Sequence, residues 1–134
     1  MNRLNGNISR IEVSGNLTLA HVEVTPQLVL KAIVIDTPKT AAYLKVGQEV
    51  VLVFKETEVI IGTNSQTKIS LQNQIPASIN KIERGQLLSK LNLRTITGEL
   101  NAIVSTNAVK TLCLKTGDAV VAMVKLNEVM LQAL

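Results

Sequence analysis

A chain of 134 residues that is 46% hydrophobic and 18% charged, with Val, Ile and Leu supplying the bulk, is a foldable β-rich sequence and not a disordered one. Cys113 is the only cysteine, which excludes an intrachain disulfide and a thiolate metal cluster, and no apolar run approaches the ~18 residues a membrane-spanning helix requires. The net charge is +4, but the 14 basic residues stand singly along the chain, a pattern that suits small anions at least as well as polyanions.

In chain order, "NRLNGNISRIE" (Asn2 to Glu12) alternates polar and apolar residues, and "LTLAHVEV" continues the period of two, so both read as half-buried strands. Thr25-Pro26 marks a hairpin turn before the strand that ends in "AIV" at 32 to 34. Asp36 or Thr37 then caps a predicted helix of about two turns, with Pro38 at its first position. "LKVG" at 44 to 47 ends it in a glycine turn, "EVVLVFK" is the next strand, and "EVII" closes the unit. "GTNSQTK", Gly62 to Lys68, reads as a linker.

The order then repeats. "NQIPASINKIE" (Asn73 to Glu83) matches the opening at an offset of 71, and "AIVSTNAVKTLCLKTGDAVVAMVKLNEVML" matches Ala32 to Ile61 at an offset of 70 without a gap. The second copy has its hairpin turn at Thr97-Gly98, a helix capped by Ser105, Thr106 or Asn107, "LKTG" at 114 to 117, and the strand "AVVAMVK". An internal repeat overrides the one-domain expectation from length and predicts two units, 1–64 and 65–134. The fold class expected is all-β with short helices: two tandem five-stranded barrels of oligonucleotide/oligosaccharide-binding (OB) type, each with one short helix. Units this small bury little apolar surface alone, so they should pack on each other and on further copies of the chain.

The order N-x-[LI]-x-x-x-I, then I-E, A-I-V, L-K-x-G, and V-K followed by E-V resembles the Mop or TOBE domain of molybdate-binding proteins. Two tandem copies resemble a di-Mop unit, found in molbindins and in the effector half of molybdate-responsive transcriptional regulators. That resemblance implies molybdate or tungstate bound between domains through hydroxyls, backbone N–H groups and a lysine. It also implies a cytoplasmic homo-oligomer, a trimer by likeness to molbindins or a dimer by likeness to the regulators. On this sequence the implied oxyanion-binding residues are Ser70 in "SLQN", Ser105 directly after the second "AIV", and the lysines Lys55 and Lys125 after the last long strand of each unit. Ile35 stands where the first copy would carry its hydroxyl, and Thr37 is the candidate to replace it. The second copy is therefore the better candidate for ligand contact, the first helping to complete the site.

Helix N-termini and neutral donors suit a tetrahedral dianion, whose own oxygens accept the hydrogen bonds, so no metal-ligating side chain is required. Other readings stand beside this one. Ser105 is also explained as a helix cap alone, and the anion sites of a purely structural assembly module could have decayed. A nucleic-acid-binding barrel would stack bases on aromatics, of which this chain has only Tyr43 and Phe54, so no direct nucleic-acid contact is expected. No nucleophile, base and orienting group occur together, so no enzymatic activity is expected. His21, in an alternating strand near Glu23, reads as a structural residue.

Overall fold

A computed structural model of the protein describes residues 1–64 and 68–134. The first half forms β1 (Asn2–Ser14), β2 (Leu17–Thr25), β3 (Leu28–Val34), β4 (Glu49–Phe54) and a short β5 (Ile60–Gly62). The second half forms β6 (Asn73–Arg84), β7 (Leu88–Thr95), β8 (Gly98–Ser105), α1 (Thr106–Thr111), β9 (Ala119–Val124) and β10 (Met130–Ala133). A single 3-10 turn follows each of β4 and β9, at Glu56–Glu58 and Leu126–Glu128.

The strands build two curled five-stranded sheets, ordered β10-β4-β1-β2-β3 and β5-β9-β6-β7-β8. This is the tandem OB-like all-β architecture expected, with one difference in how each sheet is completed. The first sheet takes its fifth strand from the second half, Met130–Ala133 pairing antiparallel with Val50–Val53. Reciprocally, Ile60–Gly62 pairs with Val121–Met123. Sequence periodicity identifies strands but not their partners, so "EVII" and "EVML" read as closing their own units. The linker expected at 62–68 begins inside β5 and runs through residues 65–67, which lie outside the described residues.

The two long strands bend at matching places. The pairing register of β1 with β2 shifts between Ile8 and Arg10, and that of β6 with β7 between Ile79 and Lys81. Such bulges sharpen curvature and free local backbone groups. The L-K-x-G turns fill those groups: Gly47 N–H donates to Ile8 O at 2.7 Å and Gly117 N–H to Ile79 O at 2.7 Å. Both glycines hold φ above +90°, where a side chain would be strained. The recurring motif is thus a clasp over the bulge.

Strands β4 and β9 are buried at five successive positions, Val50–Phe54 and Val120–Val124. An alternating strand would bury every second residue, so these two strands are covered on both faces, one of them by the other half of the molecule. Leu4, Ile8, Leu30, Phe54 and Ile75, Leu91, Leu100, Val124 belong to one continuous core. The core is continuous across the two halves.

Two buried asparagines fix how the halves meet. Asn73, fully buried, accepts from Lys31 N–H and donates to Lys31 O, each at 2.8 Å, and so caps the edge strand β3. Asn2, 4% exposed, makes the same pair of 2.8 Å bonds to Asn101 on the edge strand β8. The N-x-[LI] motif therefore supplies a side chain that replaces a missing neighbouring strand.

The helix predicted after the first "AIV" is absent. Asp36 to Thr40 form a turn in which Thr37 N–H donates to Thr40 Oγ1 at 2.9 Å and Thr40 Oγ1 donates to Asp36 Oδ1 at 3.0 Å. These side-chain bonds compete with helical ones, and Pro38 has no N–H to contribute. The second copy has the helix, capped by Ser105 and closed by Cys113 at φ +53 with Leu114 N–H bonded to Val109 O at 3.0 Å.

Removing either asparagine clamp leaves two part-buried backbone groups unpaired. Asn73→Ala and Asn2→Ala are each expected to lower unfolding free energy by about 2–4 kcal/mol in urea titrations, far more than exposed Asn5→Ala.

Candidate functional site

Ser105 is the last residue of β8 and the N-cap of α1. Its Oγ accepts from Ala108 N–H at 3.0 Å, and its own O–H proton has no acceptor among the described residues. It lines a cleft of about 300 Å3 with Val104, Ala108, Leu112, Leu114 and, from the first half, Val59, Ile60 and Ile61. The 3-10 turn Glu56–Glu58 also packs on β8. Strand exchange thus brings the segment that follows Lys55 to the Ser105 side. The cleft beside the second-half hydroxyl is closed by first-half residues Val59, Ile60 and Ile61.

The converse holds at the other end. The 3-10 turn after Lys125 packs on β3 of the first half. Asn73, which clamps Lys31 on β3, pairs in register with Val124, the residue before Lys125. Ser70 lies three residues before Asn73 in the chain, and Lys125 directly follows Val124, the register partner of Asn73. Both are exposed, as is Lys55, and none of the three makes a side-chain hydrogen bond or ion pair among the described residues. Thr37 is half-buried beyond the end of β3, lining a separate cleft of about 330 Å3 with Val13, Gly15, Pro38 and Lys39. Its hydroxyl already accepts from Lys39 N–H at 3.3 Å. The five residues therefore do not converge within one chain, and Ser105 and Thr37 stand on different clefts.

Lys31 was not singled out in the sequence. Its ammonium donates to Gln72 Oε1 at 3.4 Å, which brings a first-half cation to the segment between Ser70 and Asn73. The signal was a lone lysine in the apolar strand "LVLKAIV", which periodicity alone treats as the solvent face. Charge is also distributed unevenly: residues 1–64 carry six basic and six acidic side chains and residues 65–134 eight and four, so the net +4 belongs to the second half.

Two acidic residues are held ionised. Glu56 has its carboxyl pulled below its ordinary value chiefly by a hydrogen bond from the chain's terminal ammonium, 2.9 Å away. That bond neutralises the acid directly after Lys55. Glu12 is lowered first by His21, whose Nε2 sits 2.7 Å from Oε2, and then by Arg10. The partner of His21 is this cross-strand glutamate rather than Glu23, which sequence proximity suggested.

The Glu12 bond gives a signed pH dependence. A carboxyl lowered on folding stabilises fully above its ordinary pKa of 4.5, and the contribution is lost as pH falls through the lower folded value. Wild type should exceed Glu12→Gln in urea midpoint at pH 7, and the gap should narrow progressively as pH falls below 4.5, as read by paired unfolding curves.

A duplicated OB-like barrel with exchanged closing strands defines the class of fold: a tandem module of two small all-β units. The TOBE domain family matches residues 1–61 and 69–131, and the chain belongs to that family. Its fold is similar to that of the cytoplasmic molybdate-binding protein ModG, solved with molybdate bound: TM-score 0.91, 26% identity, 99% of this chain and 96% of that one covered. A molybdate-binding protein from Sporomusa ovata is 34% identical over 44% of this chain and 88% of its own, with a TM-score of 0.43. MopII from Clostridium pasteurianum is 27% identical over 49% of this chain and 100% of its own, with a TM-score of 0.47. No curated protein matches the chain at a significant level. Among the described residues no helix is long and apolar enough to cross a membrane, and no group of three His, Cys, Asp or Glu side chains could hold a metal ion.

Proposed function

We propose that this chain binds molybdate or tungstate as an intact oxyanion, in the cytoplasm, as a store or as the ligand-sensing part of a regulator. The observation that carries the reading is the match along almost the whole chain, at a TM-score of 0.91, to a protein crystallised with molybdate in place. Membership of the TOBE family in both halves supports it. The chemistry is recognition alone. A tetrahedral dianion accepts hydrogen bonds from O–H, N–H and ammonium donors, and exchanges without any bond to the metal centre being made.

On this reading the repeats are residues 1–64 and 65–134, and the ligand donors are Ser70, Ser105 and Lys125, with Lys55 and Thr37 as the first-repeat contribution. Because these residues face outward from separate parts of one chain, a second copy completes each site. The assembly is a homo-oligomer, a trimer of two-repeat chains or a dimer. Exposed apolar side chains near these positions favour such packing: Ile35 is 76% exposed and Leu87 80%.

Calorimetric titration tests the reading. Wild type should bind tungstate and molybdate saturably and gain melting temperature with ligand excess, while sulfate at equal concentration gives a smaller shift. Ser105→Ala and Lys125→Ala should each weaken tungstate binding by about tenfold or more, the loss of one hydrogen bond to a charged ligand. The same protein should sediment as an oligomer at micromolar concentration. Absence of heat and thermal shift with every oxyanion at low salt, or sedimentation only as monomer, contradicts the proposal.

A further inference from the structure

The tip of the β6–β7 hairpin is tied to the first residue of α1 by a relay of buried hydroxyls. Ser89 is fully buried and Thr106 7% exposed, and their oxygens lie 2.8 Å apart. Thr106 has one hydroxyl proton, and it goes to Gly85 O at 2.9 Å. Ser89 must therefore be the donor of the pair, giving the order Ser89 O–H to Thr106 Oγ1, and Thr106 O–H to Gly85 C=O. Thr106 N–H adds a third tie, to Leu87 O at 2.8 Å. Glycine is required at 85, because a Cβ there would stand 2.4 Å from Leu88 O. The relay admits little slack.

The first repeat lacks this arrangement. Thr18 occupies the place of Ser89 and donates to Asp36 O at 2.6 Å, but Asp36, in the place of Thr106, offers no hydroxyl to pass the chain on. One tie replaces three, and in that repeat the segment is a turn with Ile35 at its head. The relay's members bond only to one another and to the hairpin tip, and together they hold the start of α1. Its one neighbour of chemical interest is Ser105, immediately before Thr106.

We propose that Ser89 and Thr106 are positioning residues of the oxyanion site: by locking the hairpin tip to α1 they fix where the Ser105 hydroxyl points, and so set its affinity without touching the ligand. This rests on the reading of Ser105 as an oxyanion donor. A hydroxyl that already accepts the Ala108 N–H has its oxygen fixed in place, and holding the backbone of the next residue leaves its proton aimed at the cleft rather than searching. Loss of the relay lets the segment relax toward the turn seen in the first repeat.

The test uses full-length Thr106→Val, Thr106→Ser and Ser89→Ala, with tungstate dissociation constants measured well below each variant's melting temperature. Thr106→Val removes the relay with little change of shape and should weaken tungstate binding by about tenfold, the scale on which outer contacts tune other ligand sites. Thr106→Ser retains the proton and the oxygen, and should bind within about twofold of wild type. Ser89→Ala, the milder cut, should fall between them, and decides the matter if Thr106→Val does not fold. Wild-type affinity in folded Thr106→Val or Ser89→Ala overturns the positioning role while the binding proposal stands, as does a failure of Thr106→Ser to rescue. No binding by wild type overturns both.

Discussion

Everything in this molecule depends on the exchange of closing strands between its two halves. Each sheet is completed by a strand from the other repeat, and at its opposite edge, β3 or β8, it is capped by an asparagine from the other repeat. The two devices reinforce one another. A short strand such as Ile60–Gly62 adds few hydrogen bonds alone, but it lies beside a strand whose two faces are already buried. The asparagines are placed where a backbone N–H and C=O would otherwise be left without partners in the interior, a loss of about 1–3 kcal/mol per group. The result is a core continuous across both halves, which enlarges what units of about 65 residues can bury.

The same exchange determines where ligand chemistry can occur. It carries the residues after Lys55 to the cleft of Ser105, and those after Lys125 to the strand that bears Lys31. Each prospective site is consequently a mixture of both repeats. Duplication then permits divergence: the second repeat retains a hydroxyl at the head of a short helix and all of the net positive charge, whereas the first has Ile35, a self-bonded turn of Asp36, Thr37 and Thr40, and Glu56 tied to the terminal ammonium. Neutral hydroxyl and amide donors suit a compact dianion, because they stabilise its oxygens without burying a full opposing charge.

Much of the fold was legible in the sequence. Alternation in "LTLAHVEV" gave β2, Thr25-Pro26 and Thr97-Gly98 gave hairpin turns, and the 70-residue echo gave the duplication. Partner choice was not legible, since a strand's own residues specify which face is apolar but not which neighbour covers it. The first helix was over-read. Asp36, Thr37 and Pro38 look like a cap and first turn, yet the same side chains satisfy the backbone locally, and only the second copy has a buried hydroxyl relay to hold the helix start. At the site, Ser105 stood out because a hydroxyl followed "AIV" at a point where the copies differ. Lys31 and Thr106 did not, because their partners Gln72 and Gly85 lie 41 and 21 residues away and only the folded chain brings them together.

The central claim is that an oxyanion sits on the hydroxyl and lysine donors of the second repeat. A crystal structure of the protein grown with tungstate tests it most directly, because tungsten can be located by its anomalous scattering independently of any assumption about ligands. The account predicts tungsten within about 5 Å of Ser105 Oγ or of the Ser70–Lys125 pair, its oxygens at hydrogen-bond distance from those groups. Tungsten found only at unrelated surface lysines, or none at saturating concentration, would contradict it.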